Sequence, residues 1–226
     1  MKITLFCVAL TVGAYVVSRF AARRYPSPLT TPVFFSTALI VALLLLVGVD
    51  SEEYRPAKDV LVFLLAPATV ALAIPIYKNR GTLLTHLFPA MTGIVAGCLS
   101  TIVAAVLIGG WLEMDGMVVA SLSVKSVTAP IAVELAALVH ANPALAAVFV
   151  IVTGMVGAML GPWLMNIAGI AHPLARGVAL GTISHGQGTA QAVSEGELQG
   201  AIAGIAMGAS AVLTSIGLPV TLWMLG

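Results

Sequence analysis

Six apolar runs, at 3–18, 33–49, 60–77, 88–110, 144–165 and 201–225, dominate the chain. Each approaches the ~20 residues that an α-helix needs to cross a bilayer core about 30 Å thick. Hydrocarbon offers no partner to backbone N–H and C=O groups, so segments of this kind must satisfy them internally as helices. The sparseness of charge agrees. Of 226 residues 60% are hydrophobic and 8% charged, where a soluble domain carries roughly a quarter charged residues. The joins are short and polar, and no stretch reads as a soluble domain. A net charge of +1 lacks the basic footprint that nucleic acid requires. Cys7 and Cys98 lie within apolar runs without metal-ligand spacing and read as small packed residues. The opening Met1-Lys2 and its apolar run precede no small-residue cleavage site before Arg19, so they read as a first span.

Arg19, Arg23 and Arg24 follow the first run, and Lys78 and Arg80 follow the third. Positive charge favours the cytoplasmic face, which places these two loops inside and the acidic 50–59 loop outside, together with Glu113 and Asp115.

Two further segments, 116–139 and 177–195, are apolar at their ends but interrupted by Ser123-Val-Lys-Ser-Val-Thr-Ala-Pro130 and Ser184-His-Gly-Gln-Gly-Thr189. Lysine, histidine and Gly/Pro breaks are costly at bilayer depth unless they line a cavity. The segments also resemble each other. Gly116/Gly177, Ser123/Ser184, Thr128/Thr189, Ala129/Ala190 and Glu134/Glu195 all align at an offset of 61 residues (189 − 128), and Thr92-Gly93 aligns with Thr153-Gly154 at the same offset. Five identities in such a window exceed the about two expected from composition. One span plus one interrupted segment, repeated, is the pattern of secondary transporters. Re-entrant segments would make the repeat inverted and Arg176 cytoplasmic; segments crossing fully would make it parallel. The inverted form accords with the positive-inside rule. The expected fold is therefore an all-α polytopic membrane protein with about six spans and two interrupted segments. Residues 1–87 would form scaffold and dimerisation helices. Residues 88–226 would form a transport unit with repeats 88–143 and 149–204.

Pro130 suits the first helical position, so a half-helix is expected there with Ala129 as a cap lacking a side-chain acceptor. Its free N–H groups and dipole would favour an anion, with Lys125, Ser126 and Thr128 just before them. A simple packing kink is the alternative, and Lys125 together with the repeat favours a site. In the second break Ser184, His185 and Thr189 offer polar groups, and Gly186 and Gly188 permit close backbone approach. Taken alone, His185 reads first as a packed, hydrogen-bonded histidine. Glu134, about one turn from Pro130, and His185 are candidate proton carriers, while Glu195 is expected on a solvated helix end. Ser184 and His185 are adjacent and do not form a nucleophile–base pair, and no metal motif occurs, so no catalysis, metal or cofactor is expected.

Ala66-Pro-Ala-Thr-Val-Ala-Leu-Ala-Ile-Pro-Ile-Tyr77, Lys125-Ser-Val-Thr-Ala-Pro-Ile-Ala132, Gly161-Pro162, Ala175-Arg-Gly-Val-Ala-Leu-Gly-Thr182 and Leu180-Gly-Thr-Ile-Ser-His-Gly-Gln-Gly-Thr-Ala190 resemble the signatures of the LrgB/CidB family, over essentially the whole chain. The chain departs from them at Val124, where proline is common, and at Gln191, where a basic residue is common. The second departure weighs against any scheme that needs a positive charge at 191. The resemblance implies a multi-pass protein of the cell inner (plasma) membrane, with two functional directions. One is holin- or antiholin-like modulation of murein hydrolase activity and lysis beside a smaller LrgA/CidA partner. The other is transport of small carboxylates such as pyruvate, glycolate or glycerate. A site of helix N-termini, lysine and hydroxyls favours a carboxylate carrier, with a proton as the expected coupling ion, and the scaffold helices are expected to form a homo-oligomer, in the first instance a dimer.

Overall fold

The structure is a computed structural model that describes the backbone of residues 2–225 and the side chains of residues 3–218. Among the described residues the elements are helical: α1 (Lys2–Arg24), a short 3-10 turn (Pro28–Thr30), α2 (Pro32–Val47), α3 (Ser51–Ala71), α4 (Ala73–Lys78), α5 (Arg80–Thr85), α6 (Leu87–Trp111), α7 (Gly116–Ser123), α8 (Ala129–Leu138), α9 (Pro143–Ile167), α10 (Pro173–Glu195) and α11 (Glu197–Leu225). Among the described residues, five stretches are long and apolar enough to span a membrane: Ile3–Arg24, Ser51–Lys78, Leu87–Trp111, Pro143–Ile167 and Glu197–Leu218. The second apolar run gives only a 16-residue helix, about 24 Å long. Pro32 opens it and Gly48, at φ 76°, closes it with a left-handed cap that glycine adopts without steric cost. The protein is an all-α, multi-pass membrane protein. The chain divides into two compact units, Met1–Ile74 and Pro75–Gly226.

In the first unit α1 packs against both α2 and α3. Its contact stripe is small: Cys7, Ala14 and Ser18 are buried, and the Thr11 hydroxyl meets the Tyr54 hydroxyl at 2.9 Å. Small side chains let helix backbones approach in a medium where lipid tails are as apolar as leucine. The large side chains point outward, Leu46 and Phe63 among them, as expected where hydrocarbon is the solvent. Asp50 and Glu53 close a capping box at the start of α3.

In the second unit the direction of each helix follows from glycine contacts. Gly93 faces Val178 and Gly97 faces Thr182, so the first arm of α10 runs parallel to α6. Gly161 faces Leu180 and Gly157 faces Ser184, so the same arm runs antiparallel to α9. Thus α6 and α9 are antiparallel, and the Trp111 end of α6 shares a face with the Asn142 start of α9.

At His185 (φ 38°, ψ −124°) the helical path of α10 reverses. Gly188 comes back against Leu180 and Ser184 so closely that a Cβ would collide with the Leu180 carbonyl. Nineteen residues apart, Arg176 and Glu195 meet at the base: Nε donates to Oε2 at 2.7 Å and Nη2 to Oε1 at 3.1 Å. A straight helix would hold them about 28 Å apart. The second interrupted segment is therefore a re-entrant hairpin, and Arg176 sits on the face where it enters. Glu195, expected on a solvated helix end, is instead only 15% exposed in this pair. The Glu195 hydrogen bonds raise the Arg176 guanidinium pKa above its ordinary value.

Lys78 Nζ reaches Glu197 Oε1 at 3.6 Å, and the His86 and His172 rings lie 6.2 Å apart. Lys78, the start of α6 and the hairpin base thus share one face, called the Arg80 face below. The opposite, Asp115 face holds both ends of the first interrupted segment. α7 leaves it under an Asp115 cap, and α8 returns through a short turn to α9, whose Asn142 N–H donates to Ser121 Oγ at 2.9 Å. α7 lies against α6 and α9, and α8 lies against α9. The two segments enter from opposite faces, but their side-chain contacts are not in register: Gly109 packs on Val119, whereas Gly157 packs on Ser184. Their kinship as a duplication rests on the sequence.

This arrangement sets a labelling pattern. Cysteines replacing Glu113 and Asn142 should react with an impermeant maleimide from one side of the membrane, and one replacing Lys78 from the other. Opposite sidedness for 113 and 142 would mean that the first segment crosses.

Candidate functional site

The two breaks lie at mid-depth against the same two helices. Lys125 Nζ donates to the Thr101 carbonyl at 3.4 Å, ten residues from the Trp111 end of α6, or about 15 Å along the axis. One turn away on α6, Gly97 makes room for Thr182, where a Cβ would stand 2.9 Å from Cγ2. On the other side His185 Nε2 donates to the Val150 carbonyl at 3.2 Å. Val150 belongs to the same apolar cluster as Val124, Val127 and Ile102. The breaks therefore share two walls, α6 around Gly97–Thr101 and α9 around Val150.

The first break begins where α7 ends at Ser123 and α8 starts at Ala129, one residue before the expected Pro130, which takes the second position. The first turn tolerates proline there as well, because that N–H would lack a partner anyway. The cap is Thr128 rather than Ala129, in extended geometry (φ −72°, ψ 150°), and its hydroxyl makes no capping bond. The first-turn N–H groups of α8 thus keep their donors free. Lys125 is half-buried and meets no carboxylate within ion-pair distance among the described residues. Translocon scales put an unpaired lysine at the bilayer centre at about 2.5–3.5 kcal/mol.

The second break is confined to one residue. His185 holds a positive φ, a conformation that costs a non-glycine residue on the order of 1–3 kcal/mol. Three contacts fix it. Its ring donates to Val150, its carbonyl accepts the Thr189 hydroxyl at 2.8 Å, and Gly154 on α9 leaves the ring room. Gly157 does the same for Ser184, whose Oγ any Cβ would strike. Gly188 serves the close return described above, whereas Gly186 has open space around it.

Three buried side-chain polar atoms have no hydrogen-bond partner among the described residues: Ser126 Oγ, Thr182 Oγ1 and Gln187 Oε1. All three lie in or beside the breaks. Ser126 and Thr182 are only 4% and 1% exposed. A neutral polar group buried without a partner costs about 1–3 kcal/mol, so each of these atoms is a candidate to meet a polar guest. Thr182 and Gln187 escape sequence reasoning, because a threonine before a break and a glutamine between glycines look ordinary until the hairpin brings them inward. Glu134 lies on the exposed face of α8, outside this group. The assembled set is an ammonium, a free helix N-terminus, hydroxyls, an amide and an imidazole N–H already bonded to Val150. Its ammonium, free helix N-terminus and hydroxyls are donors with no acidic side chain among them, which suits an anion, whereas the unpartnered Gln187 atom is an amide oxygen and accepts.

The chain matches the model of the LrgB-like family over residues 11–224. It is 35% identical over 219 residues to the uncharacterized protein YwbG of Bacillus subtilis, covering 97% of each chain. It is 28% identical over 222 residues to the antiholin-like protein LrgB of Bacillus subtilis, covering 98% of this chain and 96% of that one. It is 29% identical over 216 residues to the holin-like protein CidB of Staphylococcus epidermidis, covering 94% and 93%. No solved structure matches it. With a match over residues 11–224 that takes in both breaks and nearly the whole chain, this chain belongs to the LrgB-like family.

Proposed function

We propose that the chain is a holin- or antiholin-like membrane protein that affects lysis, and that it acts by carrying small organic carboxylates across the cell's inner membrane. The names of the relatives support the first part. The second part is carried by one observation: Lys125, without a carboxylate partner, and the unpartnered buried hydroxyls of Ser126 and Thr182 lie at or beside two breaks that enter from opposite faces. A carboxylate bound there would pair with the ammonium, accept the free N–H groups of α8 and engage the hydroxyls. It would offset the desolvation that the empty arrangement carries. Breaks reached from opposite faces also suit alternating access, since each hairpin tip ends at the shared centre. Of the two proton carriers suggested by sequence, His185 is built into this centre, whereas Glu134 is exposed on α8.

Uptake of radiolabelled pyruvate or glycolate into proteoliposomes tests the reading. A saturable, competable flux is expected. Leakage of larger solutes without saturation would favour a pore that regulates lysis directly.

Lys125→Met removes a charge-assisted bond of about 1.5–3 kcal/mol. Apparent carboxylate affinity should fall by roughly tenfold or more, with insertion and thermal stability retained. Unchanged affinity in a well-folded variant would reduce Lys125 to a packing role.

Proton coupling separates the two carriers. Glu134→Gln should retain gradient-driven accumulation, whereas His185→Gln should lose it while keeping exchange. The opposite pattern would move the proton site to α8.

A further inference from the structure

A groove of about 430 Å³ runs between α6 and the first arm of α10. Its lining includes His86 and His172, which mark the Arg80 face, and Thr182 at the level of the breaks. Between them the walls are narrow side chains, Gly93 and Gly97 on α6 and Ala175 and Ala179 on α10. The volume lies within the range of small-molecule sites, about 300–1,000 Å³. No carboxylate lines the groove; its ionisable lining is the two imidazoles. The inner end carries an independent mark of a guest, because Thr182 is 1% exposed and its Oγ1 has no partner. At Thr182 the groove ends against close packing, Gly97 on Thr182, one turn along α6 from the Thr101 carbonyl that accepts Lys125.

We propose that this groove is the route by which a small carboxylate travels between the Arg80 face and the breaks, with the Thr182 hydroxyl as its innermost contact before Lys125. The identity of the passenger rests on the carboxylate reading above; the route itself rests on the groove. Small residues on both walls let α10 pack close to α6, and a Cβ at Gly93 would stand 3.3 Å from Val178 Cγ1 and narrow the groove further. No acidic side chain in the lining repels an anion, the apolar walls give it no partner between the mouth and Thr182, and at the mouth His172 offers a ring N–H while the His86 Nδ1–H is taken by the Thr82 carbonyl.

The test uses the full chain with Cys7 and Cys98 replaced by alanine, reconstituted in one orientation, with cysteine introduced by Ala179→Cys or Thr182→Cys. The probe is the anionic thiol reagent 2-sulfonatoethyl methanethiosulfonate, applied from either face, with pyruvate flux measured on the same vesicles. Modification of both variants from the Arg80 face is expected, with modification of Ala179→Cys lowering flux at least tenfold and added pyruvate slowing the reaction. Thr182→Cys modified only from the Asp115 face, or full flux through fully modified Ala179→Cys, would overturn the route. If the wild type carries no pyruvate at all, the functional reading fails separately. In that case labelling of Thr182→Cys from the Arg80 face that pyruvate slows still supports an anion route, and labelling that pyruvate leaves untouched overturns it.

Discussion

A helix that breaks in hydrocarbon exposes backbone groups that lipid does not satisfy, and the second unit depends on how that exposure is covered. The cover is close packing. Gly157 admits Ser184, Gly188 admits the Leu180 carbonyl, and Gly181 lies so close to Ala203 that a Cβ would collide with its backbone. Without these contacts the two arms of α10 would not fit between α9 and α11, and the strained turn at His185 would lack the partners that hold it. The Arg176–Glu195 pair then ties the hairpin at its base, where charge is affordable because the membrane surface is near.

Covering the backbone does not finish the arrangement, because side-chain polar atoms are left over at the same depth. Ser126, Thr182 and Gln187 are buried without partners, and Lys125 reaches only a carbonyl. In a structure whose other buried hydroxyls mostly bond to nearby carbonyls, such as Ser121 to Met117 and Ser123 to Val119, this clustering is selective. It gives the family's membrane-bound character a chemical focus: a donor-rich centre, reached by hairpins from both faces, with a groove leading to it from one of them.

Much of this was legible in the residues. Hydropathy marks the long spans because span length is imposed by bilayer thickness, and Lys125 to Pro130 and Ser184 to Thr189 mark the breaks because such residues are costly in lipid. The positive character of Lys78, Arg80 and Arg176 anticipated that one face would gather them, as the hairpin does. What escaped was what only folding back creates. Arg176 and Glu195 are a full helix apart in sequence, so their pairing is invisible to any helical periodicity. Thr182 and Gln187 acquire meaning only from the reversal at His185. The shift of the α8 cap from Ala129 to Thr128 is a one-residue matter, set by the extended backbone of Thr128 rather than by Pro130 alone. The apolar run at 33–49 matches its helix, Pro32–Val47, to within two residues, with Gly48 as its cap.

The central claim is that an anion sits where the two breaks converge. Anomalous diffraction from crystals of the full chain grown with a bromine-labelled short carboxylate locates such an anion directly. The account predicts a bromine peak within contact distance of the centre bounded by Lys125, the Thr128–Ala129 start of α8 and Thr182. Peaks confined to the lysines and arginines of the membrane surface, with the centre empty at saturating carboxylate, would contradict it.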